Sequence, residues 1–255
     1  LTTTSGDITG LATVNAGSGN VTLNSAGAIV DDGSAGTVIT GGVLTADAAG
    51  AITIDSTVAS ANISTSAAGN VDLDETDGIT LTDLDTNDGS ITVEAGGLIT
   101  ATDVVAAGGS GDSVTLTTTT GGAVATLVTG ADAVSITANA GDTTLGAVTA
   151  TAGILGVTAT AGSINDAADD NTADCTAGGL ITLTAQDEIG VLGSGTDTDL
   201  EFATGSSVNV STTGTGAIDL DGLGTLTLTD LDTANGAITA TSGGALTVTD
   251  VASGT

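Results

Sequence analysis

Short segments in which apolar and polar residues alternate recur along the whole chain, separated by Gly, Asn and Asp. They read VTL at 21–23, ITI at 52–54, VDL at 71–73, ITL at 79–81, ITV at 91–93 and VTL at 114–116. The series continues with VSI at 134–136, ITL at 181–183, VNV at 208–210, IDL at 218–220 and LTL at 226–228. A period of two puts Val, Ile and Leu on one face of a strand and Thr, Ser and Asp on the other. Gly, Asn and Asp in the gaps supply what turns require. No 3.6-residue periodicity lasts three turns, and Thr, Gly and β-branched residues are poor helix formers. The pattern predicts strands and no helix.

A longer repeat lies above this one. TLTDLDT at 80–86 recurs unchanged at 227–233, an offset of 147 that continues through Gly89/Gly236, Ile91/Ile238, Gly96/Gly243, Gly97/Gly244 and Asp103/Asp250. AGAIVD at 26–31 matches AGSIND at 161–166, an offset of 135, and Ile52 matches Ile189 at 137. The offset grows because two residues enter one turn and about ten enter between Val210 and Leu226, as solenoid loops allow. Residues 1–255 therefore read as one continuous solenoid segment, with a super-repeat over approximately 6–140 and an incomplete second copy over 141–255. Leu1 aligns with Ile136 and Thr255 with Gly108, so both ends fall in mid-repeat and a longer parent chain is expected. The expected fold is all-β: a right-handed parallel β-helix of roughly 10–12 rungs, about 50–60 Å long.

Composition narrows the picture. Lys, Arg, His, Pro, Met, Trp and Tyr are absent, and Phe202 is the only aromatic residue. A compact domain usually centres on large aromatics, so the core here must be thin and built of small aliphatics. Disorder is disfavoured, because charged residues make up only 12% of the chain and apolar residues reach 40% in alternating groups. The net charge of −31 repels nucleic acid and anionic lipid and attracts divalent cations. No run of 18 apolar residues predicts membrane insertion, and no basic segment precedes an apolar stretch as in a signal peptide. Cys175 is alone, aligns with Val38 and is expected to face inward as a small hydrophobe. Phe202 is expected to plug a rung or cap the insertion near Leu200.

The pattern AG-x-I-x-D, a variable acidic turn, then AGG-x-ITLTA-x-x-x-IG is carried at 161–166 and 177–190, with a diverged copy at 26–53. It resembles the β-strand-repeat regions of very large bacterial exoproteins of the filamentous-haemagglutinin-like and autotransporter-adhesin kinds. That resemblance covers essentially the whole chain. It implies export, a long β-helical stalk, and a role in adhesion, biofilm or surface-layer construction; the export signal and translocation domain of those families have no counterpart in this segment.

Chemistry has few carriers. Without His, Lys, Arg or Tyr, acid–base work falls to carboxylates alone, and these repeat from turn to turn, as Asp83/Asp85 and Asp230/Asp232 show. An active site should be unique, so no catalysis is expected. Calcium is the stronger expectation. Asp83, Asp85, Asn87 and Glu94 echo the spacing of an EF-hand loop, although Gly89 falls one place late. GGSGDSV at 108–114 approaches a calcium-binding nonapeptide with Asp112 one residue early, and Asp166, Asp169, Asp170 and Asp174 form the densest acidic turn. The same residues serve equally as ordinary polar turns. NIS at 62–64 and NVS at 209–211 fit a glycosylation sequon, at a frequency chance explains.

Two function classes follow. One is a structural stalk or filament component at the cell surface, self-associating end to end or laterally. The other is an adhesin that binds glycans or other surface proteins; the lack of aromatic platforms weighs against it. A carboxylate-based polysaccharide-degrading enzyme ranks third.

Overall fold

The computed structural model describes residues 1–33, 36, 39–168, 170–190 and 199–254. Over these residues the chain is all β with no helix, and its strands form one parallel sheet wound into a β-solenoid of about 12 turns. Alternation in the sequence becomes alternation in burial: the strands Val71–Glu75, Ile91–Ala95 and Val134–Ala138 bury every second residue.

Residues one turn apart stack in register. One column begins at Ile8, Ile29, Ile52 and Val71 and ends at Val208, Leu228 and Val248. A second holds Leu81, Ala101, Ala125 and Leu145, and a third holds Leu84, Val104, Val128, Val148, Cys175 and Phe202. Burying each Val, Leu or Ile is worth roughly 1.5–3 kcal/mol, so stability accrues turn by turn. Cys175 does face inward and is fully buried, between Val148 and Phe202. Val38, its sequence counterpart, lies outside the described residues. Phe202 fills its rung completely, and the register partner above it is Gly222, so the largest side chain meets the smallest.

A recurring device closes the corners. Thr65, Thr86, Thr118, Thr212 and Thr233 are buried at strand ends, and each donates its hydroxyl to the carbonyl of a glycine three or four residues on. The hydroxyl thereby satisfies a carbonyl that the bend has taken out of the ladder. Glycine is required because backbone packs on backbone there: a Cβ at Gly236 would overlap the Gly216 carbonyl.

The super-repeat reappears as structure, with a shift. In the first copy Asn62 pairs with Asp83 and the register slips across Thr82; in the second Asn209 pairs with Asp230 and slips across Thr229. The two copies nevertheless occupy different ladders. Leu81 belongs to the column of Ala101 and Leu145, whereas Leu228 belongs to that of Val134 and Val208. The repeat offset is thus not a whole number of turns: Ile29 stands in the column of Ile8 and Ile52, its counterpart Ile164 in that of Ile79 and Thr143, and the long wall of the second copy lies on another side of the rod. On the last turn Leu246, Val248 and Val251 are 41%, 52% and 43% exposed, because no described turn lies over them.

Candidate functional site

Through Leu145 the second inward column is aliphatic; its next member is Asp166. The wall changes at the same level. Thr143–Ala150 is one continuous strand, but a turn later its counterpart divides into Ile164–Asp166 and Cys175–Ala177, and the chain leaves the wall between them. One turn further the wall resumes as Leu200–Phe202. Asp174 returns the chain to the ladder: its carbonyl accepts the Val148 N–H at 2.8 Å, and its own N–H donates to the Glu201 carbonyl at 3.1 Å. The Glu201 N–H donates in turn to Oδ2 of Asp174 at 2.9 Å.

The rejoining strands bring three acids together. Asp166, Asp174 and Glu201 each place one carboxylate oxygen so that all three atoms lie within 4.8 Å of one another. Asp166 is half-buried, Asp174 is 4% exposed and Glu201 has no exposed surface. Glu201 lies between two core residues on its strand, so it points to the outer flank, yet it is covered there. Among the described residues no hydrogen-bond donor reaches either of its carboxylate oxygens.

The charges have no protein counter-ion, because the chain holds no Lys, Arg or His. Two ionised carboxylates no more than 4.8 Å apart repel by at least roughly 3 kcal/mol at an effective dielectric constant of about 20. Burial raises the pKa of all three carboxyls, and for Glu201 the adjoining Asp174 and Asp166 raise it further. Burial, with Asp174 and Glu201 beside it, also pushes the Cys175 thiol up, which leaves it unreactive.

The sequence-predicted ligands distribute differently. Asp174 and Asp166 join the triad. Asp170 is exposed, and its Oδ1 accepts the N–H and hydroxyl of Thr172 within its own turn. Asp169 lies outside the described residues. Asp83 and Asp85 stand on the strand Ile79–Asp88 rather than in a loop, Asn87 is exposed near its end, and Glu94 is on the next strand. Among the described residues, no second set of three carboxylates offers ligand atoms within 4.8 Å of one another, so Asp83, Asp85 and Glu94 do not converge. Asp112 caps its own turn, accepting the Gly109 N–H at 2.8 Å.

These acids form lateral columns instead. Asp55, Asp74 and Glu94 are register partners on successive turns and line a groove of about 390 Å³ with Glu75, Thr76 and Thr119. Asp85 is raised to about 6 by lost solvation and then by Asp83 and Asp103. Glu75 is buried but well held, accepting the Ser56 hydroxyl at 2.6 Å and the Val58 N–H at 3.0 Å.

No family model, curated protein or solved structure matches this chain. The reading of function therefore rests on the geometry. Glu201 is the one triad member the sequence did not signal. Its only mark is an acid between two inward residues, Leu200 and Phe202; Asn209 already stands 147 residues after Asn62, so the ten extra residues enter between Ile189 and Asn209 and not between Val210 and Leu226.

Proposed function

We propose that this chain is a structural segment of an extracellular surface protein, a rod that spaces or assembles other material. The observation that carries this reading is the unbroken parallel stack of about 12 turns, in which each turn packs only on its neighbours. Such a stack grows in length without changing its cross-section, which suits a stalk or filament. The outer columns are Thr, Ser, Asn and Asp with no cationic residue, a surface that stays hydrated and repels anionic polymers. The resemblance of its repeats to bacterial exoprotein β-repeats supports the same role.

Catalysis finds little support. Asp174 and Glu201 are sealed from solvent, so a polysaccharide has no access to them. The accessible acids recur on successive turns, with no partner base of another kind. Adhesion would need a recognising flank, and the sole aromatic side chain is inside the core.

Antibody labelling of intact producing cells tests this proposal. Dense labelling without permeabilisation is expected. Labelling that appears only after the envelope is breached would refute it.

A further inference from the structure

We propose that Asp166, Asp174 and Glu201 bind one divalent cation, Ca²⁺, that ties the excursion between Asp166 and Asp174 to the wall of the rod. The inference does not depend on the surface role proposed above.

The first support is geometric. Three carboxylate oxygens from two successive turns lie within 4.8 Å of one another. Oxygens on a common Ca²⁺, at about 2.3–2.6 Å each, span up to about 5 Å, so the triad fits that ion with little movement. Mg²⁺ demands near-ideal octahedral geometry at about 2.0–2.1 Å and keeps several of its waters, so a buried cluster of carboxylates favours Ca²⁺ over it. The donors are all hard oxygens, with no nitrogen or sulfur ligand to favour zinc or copper.

The second support is the state of Glu201. The same chain shows how it satisfies a buried glutamate: Glu75 accepts a hydroxyl and backbone N–H groups. Asp31, the first-copy counterpart of Asp166, is likewise held by the N–H groups of Gly33 and Asp55. Glu201 has none of this, although it is wholly buried and turned toward two other acids. A buried carboxylate is either paired or neutralised. No basic side chain exists anywhere in the sequence, which leaves a metal ion or protons.

Calcium titration of the EDTA-stripped, desalted chain decides between them, carried out by calorimetry in about 150 mM NaCl to screen the outer acids. One saturable Ca²⁺ per chain is expected above the weak background, with Mg²⁺ bound at least about tenfold more weakly. Glu201→Gln and Asp166→Asn should lose that site, while Asp250→Asn, exposed on the last turn, should keep it. Melting curves supply a second readout. In EDTA, Glu201→Gln should melt above the wild type because the amide has no charge to give up on burial beside two acids; in Ca²⁺ only the wild type should gain. Identical isotherms for wild type and Glu201→Gln, or wild-type melting indifferent to Ca²⁺, would overturn the proposal and assign the triad to shared protons. Should Glu201→Gln fail to fold, Asp166→Asn at its half-exposed position carries the same comparison.

Discussion

Phe202 shows how narrow the margin for size is inside this rod. It is fully buried, and the glycine above it leaves the space its ring needs. Phe202→Ala should cost roughly 3–5 kcal/mol, because the rigid ladder on either side cannot collapse into the hole. Denaturant unfolding would register the loss. Asp85 makes the opposite kind of prediction. Its folded pKa of about 6 lies above the ordinary aspartate value of 3.8, so the fold disfavours its ionised form. Its destabilising effect is present above pH 6 and disappears as the pH falls toward 4. Asp55, Asp74 and Glu75 are raised in the same direction. The melting temperature should therefore rise between pH 7 and pH 5, and Asp85→Asn should flatten that rise. At this scale the inward residues were legible, since a period of two names them directly. The fate of each acid was not: Asp31 and Asp166 share one motif and each accepts the N–H two residues on, yet Asp31 also accepts the Asp55 N–H whereas Asp166 faces two carboxyls.

At five strand ends a buried threonine donates to the carbonyl of a glycine three or four residues on. Thr118→Val keeps the shape and removes the donor, which leaves the Gly121 carbonyl without that bond. The expected loss is about 1–3 kcal/mol, against almost nothing for the exposed Thr82→Val. Thermal or urea unfolding of the two variants checks it. Strands and corners could be read from the sequence because each uses only local chemistry. The EF-hand-like spacing at 83–94 does not come out as a loop, for the same local reason. A ligand spacing says which residues are near in the chain, whereas the strand Ile79–Asp88 extends Asp83 and Asp85 along a wall. The convergence of Asp174 with Glu201 is set by pairing across 27 residues of chain, and that of Asp166 with both by the excursion before Asp174. No local signal encodes that.

Over the whole molecule, charge and length dominate. With a net charge of −31 and no cationic side chain, acids on neighbouring turns repel one another, as along the column of Asp55, Asp74 and Glu94. Raising NaCl shortens the screening length below about 10 Å, so the melting temperature should climb with salt until it levels off. A constant or falling melting temperature would mean the columns are already neutralised. The solenoid and its number of turns were legible from repeat arithmetic. The migration of the long wall between copies was not, because an offset of 147 residues does not state how many turns it contains. The register instead offers a clean excision. Val71 and Val208 stand six turns apart in one column, so removing residues 71–207 joins Asn70 to Val208 in register and deletes about 29 Å of rod. The decisive measurement is the thickness of the antibody-labelled surface layer in electron micrographs of cells carrying that deletion. A spacing rod predicts a layer thinner by about 29 Å, still labelled and still attached. An unchanged thickness, with a binding activity lost instead, would contradict the account.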